Sequence, residues 1–142
     1  MKPTLLFKIA SGLLAFFGVA HTLGMFSEDE GAVKAVVKAM QTVHFDVMGS
    51  SRSLFDFYMG FGLLLTVFLL FSAVLSWQLG NLIKENSKIA RSLAWPFAVC
   101  QIGVAILGWT NFFLAPQLVS TLAAACLVMA AWQSGKSYDH TL

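Results

Sequence analysis

The sequence predicts an all-α integral membrane protein, a four-helix bundle with an outer amphipathic helix between helices 1 and 2. Three observations carry this. Hydrophobic residues make up 58% of the 142-residue chain and charged residues 11%, against about 45–50% and roughly 25% in a soluble domain. Mean hydropathy is +0.76, so much of the surface must face lipid rather than water. Four apolar runs, at about 5–26, 54–79, 93–113 and 117–133, approach or exceed the roughly 20 residues that cross a hydrocarbon core about 30 Å thick. These runs are continuous rather than alternating. In lipid every backbone polar group needs an internal partner, and continuous runs satisfy that as helices rather than as a closed barrel.

The length allows one transmembrane domain, 1–142. In the first run the only formal charge is Lys8, near its start. Lys2, Lys8 and the small residues Gly18-Val19-Ala20 have the outline of a signal peptide. The run is nevertheless long enough to span, and it is expected to remain as helix 1. Ser53-Leu54-Phe55-Asp56 reads as a capping box opening helix 2. Pro96 is expected in the first turn of helix 3, where a missing N–H costs little. Pro116 opens helix 4 after a tight turn at 111–115, which makes helices 3 and 4 an antiparallel hairpin. Cys100 and Cys126 lie in apolar runs without CxxC or zinc-site spacing and read as small packing residues.

Orientation follows from the Lys/Arg bias of short loops. Four crossings place Lys2, Lys8, Lys84, Lys88, Arg91 and Lys136 on one side, and Lys34, Lys38 and Arg52 on the other. The N- and C-termini are therefore expected to be cytoplasmic. Trp77, Trp95 and Trp132 fall near the expected inner boundary and Trp109 near the outer one. A net charge of +2 with scattered basic residues argues against nucleic acid as a partner.

The long outer connection, 27–53, starts with Ser27-Glu28-Asp29-Glu30, carboxylates placed where a helix dipole favours them. Ala32, Val33, Val36, Val37, Met40 and Val43 then recur at three- and four-residue intervals between Lys34, Lys38 and Gln41. This predicts an amphipathic helix at about 29–43, at the outer interface or capping the bundle. Met48-Gly49-Ser50-Ser51 is expected to turn the chain into helix 2.

This topology gathers uncommon polar residues toward the outer half. His21 and Thr22 end helix 1; His44, Asp46, Arg52, Asp56 and Tyr58 flank the start of helix 2; Trp109 and Asn111 end helix 3, with Gln101 deeper. Ionisable groups at membrane depth are costly and mark function by default, so these ten are the candidate ligand-binding residues. Each has a plainer reading. His21 can simply hydrogen-bond to a carbonyl or to Asp56, Asp56 can cap a helix, Arg52 can pair with Asp46 or Asp56, and Gln101 can bond to a neighbouring helix. Gly60 and Gly62 read first as points of close helix contact. No metal ligand is assigned, and no cofactor is named by any motif.

The stretch Gly18-Val19-Ala20-His21-Thr22-Leu23-Gly24, with Phe57-Tyr58-Met59-Gly60-Phe61-Gly62 before a Leu/Phe run, resembles small uncharacterised bacterial four-helix membrane proteins, distantly similar to the DoxX-like group. The resemblance covers roughly helix 1 to helix 4. It implies a four-helix bundle in a bacterial inner membrane. DoxX-like relatives have been associated with quinone-linked redox chemistry and accessory roles, but no redox motif in this sequence carries that chemistry over.

The functional expectation is a non-enzymatic protein that binds a lipid or small molecule, or an accessory subunit of a larger membrane assembly, with its polar site at the outer face. The expected partners are membrane lipids and further copies or subunits. The alternative is a membrane enzyme. His21 would be its base, oriented by Asp46 or Asp56, or His21, His44 and a carboxylate would hold a metal. Haem ligation by two histidines and a channel rank lower.

Overall fold

The computed structural model of the chain describes residues 1–27 and 30–136. Its elements are α1 (Pro3–Met25), α2 (Gly31–Thr42), β1 (His44–Val47), β2 (Ser50–Ser53), α3 (Leu54–Glu85), α4 (Ser87–Asn111) and α5 (Leu114–Lys136). Four of them, α1, α3, α4 and α5, are long and apolar enough to cross a membrane. Phe16, Leu64, Val67, Phe71, Val99 and Leu107 are each about three-fifths exposed or more. Water would penalise that much apolar surface, so lipid is its solvent. The chain is a multi-pass helical membrane protein.

The helices overrun the apolar stretches that reveal them. α3 has 32 residues, about 48 Å at 1.5 Å per residue, well beyond the hydrocarbon thickness. Its last turns keep burying Leu79, Gly80 and Ile83 while carrying Lys84 outward. α4 begins at Ser87 rather than near residue 93. The Asn86 side chain accepts a hydrogen bond from the Ile89 N–H at 3.0 Å and so caps it. Pro96 therefore lies inside α4, not in its first turn as the hydropathy suggested. Lys88 and Arg91 lengthen the helix outside the apolar stretch, which a hydropathy window cannot register. Pro116 does fall in the opening turn of α5, where its missing N–H has no intrahelical partner to lose.

The described chain comprises two compact units, 1–17 with 69–142, and 18–68. In the first, α4 and α5 form the expected antiparallel pair. Both helices bury small residues: Ala90, Ala94, Ala98 and Ala105 on α4, and Ser120, Ala123, Ala124, Ala130 and Ala131 on α5. Small side chains let backbones approach, which is how membrane helices gain dispersion contacts without a hydrophobic drive. A Cβ on Gly108 would stand 3.1 Å from Ser120 Oγ, and one on Gly80 would stand 3.1 Å from Phe7 Cβ and 3.3 Å from the Thr4 carbonyl. Buried serines tie the α1 and α3 segments of this unit to each other's backbones. Ser11 donates to the Ala73 carbonyl at 2.8 Å and Ser76 to the Phe7 carbonyl at 2.8 Å. The Lys8 ammonium stands 4.6 Å from the centre of the Trp77 ring, an arrangement that holds a charge beside an aromatic face.

The second unit contains α2 and a hairpin that the sequence pattern did not announce. β1 and β2 pair antiparallel, His44 with Ser53, Phe45 with Arg52, Asp46 with Ser51 and Val47 with Ser50. Met48 (φ 49°) and Gly49 (φ 83°) close it, two left-handed residues in the turn geometry that suits strand twist. The sequence expectation of a simple turn at 48–51 is corrected accordingly. Directly paired residues share a face of the hairpin. Phe45 and Arg52 therefore lie on one face, and His44 and Asp46 on the other.

Candidate functional site

The start of α3 is built from its cap upward. Asp56 Oδ2 accepts the Ser53 N–H at 2.7 Å, and Ser53 Oγ accepts the Asp56 N–H at 3.1 Å, the reciprocal pair that the Ser53…Asp56 spacing predicts. This fixes where the hairpin ends and the helix begins. Phe45 then stacks on Phe57, with ring centres 5.8 Å apart and planes 8° apart, and Phe57 meets Phe61 at 6.4 Å. The aromatic ladder runs from the hairpin down the helix.

Beside that ladder lies an open cleft of about 310 Å³, lined by Arg52, Asp56, Phe57, Gly60, Phe61 and Leu64. The lining follows helical geometry. Asp56, Gly60 and Leu64 are four apart and Phe57 and Phe61 are four apart, so they share one face of α3. Gly60 makes the depression, since a Cβ there would meet nothing within 4 Å. One end of the cleft is charged, with Arg52 and Asp56, and the other is hydrocarbon. Arg52 Nη1 donates to the Ser51 carbonyl at 3.0 Å. Only one of its five donors is used there.

His21 and Thr22 meet a different face. His21 Nε2 bonds to the Gly62 carbonyl at 3.1 Å; because a carbonyl can only accept, Nε2 carries the proton. Thr22 Oγ1 shares a 3.0 Å hydrogen bond with Thr66 Oγ1 and donates to the Gly18 carbonyl at 2.8 Å. The Met25 side chain lies where a Gly62 Cβ would be. At 100° per residue, Gly62 and Thr66 point roughly opposite to the Asp56–Gly60–Leu64 stripe. The hydrogen bond of His21 to a carbonyl is therefore the observed arrangement, and His21 and Asp56 address opposite sides of α3 instead of forming a base–carboxylate pair.

Most of the remaining sequence candidates have partners of their own. His44 Nδ1 lies 3.3 Å from the Thr42 carbonyl on an exposed strand. Asp46 is exposed on the hairpin face away from Arg52, so the register does not pair these two. Tyr58 is about half exposed, its ring tilted against Phe55 at 6.2 Å. Gln101, Trp109 and Asn111 belong to the other unit. Gln101 is fully buried; its Nε2 donates to Ser72 Oγ at 3.2 Å, while its Oε1 has no partner. Trp109 Nε1 donates to Thr121 Oγ1 at 2.9 Å. Asn111 Nδ2 donates to the Leu107 carbonyl at 3.1 Å and to Thr110 Oγ1 at 2.7 Å. Among the described residues no three His, Cys, Asp or Glu side chains form a group able to hold a metal ion.

Phe45, Phe57, Gly60, Phe61 and Leu64 were not singled out as a site by the sequence. The four-residue repeat Asp56-Gly60-Leu64 beside Phe57-Phe61 was the available signal. A second open groove of about 610 Å³ lies between α4 and α5, lined almost wholly by apolar side chains including Ile102, Ile106, Val128 and Met129.

Fold and cleft together define a class: multi-pass helical membrane proteins, here with an open cleft beside the first turns of α3. No family model, curated protein or solved structure matches the chain.

Proposed function

We propose that the protein is a non-enzymatic membrane protein that binds a lipid or lipid-like small molecule along the first turns of α3. The ligand's hydrocarbon chain would lie on Phe57, Gly60, Phe61 and Leu64, and its acidic or zwitterionic head would meet Arg52. The single observation that carries this is the cleft's graded lining, a guanidinium and a carboxylate at one end and only aromatic and aliphatic groups at the other. Ligand sites have this composition, mostly apolar with a few placed polar groups, and typical volumes of about 300–1,000 Å³. The cleft is at the small end of that range, suited to the head-proximal part of one chain. Its Asp56 is already held by Ser53, which leaves Arg52 as the recognition group.

In this reading the protein sits in a bacterial inner membrane with both termini in the cytoplasm and the cleft toward the outer leaflet. It works alone, as a homo-oligomer, or as an accessory subunit of a larger assembly. The likeness to DoxX-like proteins belongs to the same proposal. The test is photolabelling in proteoliposomes with a phospholipid bearing a diazirine on its acyl chain near the head. Label should concentrate on Phe57, Phe61 and Leu64 and fall in Arg52→Ala. Equal labelling of Val67, Phe71 and Val99, unchanged by that substitution, would show a bulk lipid contact instead.

A further inference from the structure

α2 is a 12-residue helix with no buried residue. On a helical wheel Val33, Val36, Val37 and Met40 share one arc with Ala32 and Ala39 beside it, while Lys34, Lys38 and Gln41 share the opposite one. Val37 and Met40 are half-buried, whereas Val33 and Val36 are 56% and 59% exposed. A short helix in water is marginal unless its apolar face is covered. Both ends of α2 are tethered to spans. Residues 26–30 link α1 to Gly31, at most about 20 Å of extended chain. At its other end the β1–β2 hairpin delivers the chain directly to Leu54 of α3.

We infer that α2 lies in the plane of the membrane at the phospholipid headgroup boundary, with Val33 and Val36 toward the acyl chains and Lys34 and Lys38 toward phosphate and water. The helix is held at both ends by chain that leads into spans long and apolar enough to cross the membrane, and an amphipathic helix so placed sinks its apolar face roughly 5–10 Å. Charge does not drive the contact. Residues 27–53 hold four acidic side chains (Glu28, Asp29, Glu30, Asp46) against three basic ones (Lys34, Lys38, Arg52), so the segment has no net attraction to an anionic surface. Apolar burial does the anchoring, and the lysine stems let their ammonium groups reach the phosphates of a zwitterionic lipid.

The experiment places a nitroxide at Val33→Cys, Val36→Cys, Lys34→Cys or Lys38→Cys, one at a time, in the full chain carrying Cys100→Ser and Cys126→Ser, in phosphatidylcholine vesicles. Labels at 33 and 36 should collide more with oxygen than with a water-soluble nickel chelate, and labels at 34 and 38 the reverse. That contrast should survive replacement of part of the lipid by phosphatidylglycerol. Because a label can itself perturb a helix, Val36→Trp provides a second reading: its emission should be blue-shifted and quenched by brominated lipid. Equal nickel access at all four positions overturns the inference. So do shielding of 33 and 36 from both reagents, which would mean a protein partner, and a contrast that appears only with phosphatidylglycerol. None of these readings depends on the α3 cleft, so this proposal and the ligand-binding one can fail separately.

Discussion

The buried polar groups of the 1–17/69–142 unit and the polar groups around the start of α3 look alike in sequence and differ in use. Ser11, Ser76 and the Gln101 amide nitrogen are buried and spend their hydrogen bonds on neighbouring helices. Arg52 stands at a cleft with most of its donors uncommitted. A polar side chain inside an apolar run is therefore not by itself a sign of function. Position on the helix decides: groups facing another helix become structural glue, and groups beside a notch such as Gly60 keep donors that no other helix takes up.

The comparison breaks most readily at the close contacts. Gly80→Leu should destabilise the protein by about 1–3 kcal/mol, because its Cβ alone already reaches Phe7 and the Thr4 carbonyl. Gly60→Leu, facing open space, should cost nothing or gain slightly through helix propensity. Chemical unfolding in detergent micelles would show the contrast, and equal losses would refute it. Next in size is the cap. Ser53→Ala or Asp56→Ala each removes half of a reciprocal pair and should cost about 1 kcal/mol, read as faster amide exchange over the first turn of α3.

Smaller still is Ser76→Ala. Interhelical hydrogen bonds in membranes average roughly 0.6 kcal/mol, so unfolding should shift only slightly, although the bond is short and buried. The smallest effect should be a gain. Met48 is a non-glycine residue at φ 49°, and Met48→Asn places a side chain that tolerates this region in the hairpin turn. The expected stabilisation is a few tenths of a kcal/mol, visible as slower exchange across β1–β2 with no change in α4 or α5.

Much of the fold was readable because lipid imposes a compositional demand. Four spans and the Ser53–Asp56 cap follow from apolar run length and spacing, and the amphipathic period of α2 from its valines. Helix ends were less readable. Hydropathy reports the solvent around a helix, not where its hydrogen bonds stop, so α4 reaches back past Arg91 and Lys88 to the Asn86 cap. The hairpin escaped because its short strands expose every residue but Ser53 and so lack an inside–outside alternation. Of the candidate site, Arg52 and Asp56 were legible as unusual residues. Their separation from His21 rests on helical phase, and the stacking of Phe45 on Phe57 beside the cleft joins hairpin to helix, a contact that linear spacing does not encode.

The central claim is that the notch at Gly60 is a ligand site and not merely a gap. Native mass spectrometry of the protein released from mild detergent tests it directly, comparing wild type with Gly60→Leu, whose fold is checked by circular dichroism. Wild type should retain an adduct of lipid mass that the folded variant loses. The same adduct on both proteins, or on neither, would contradict the account.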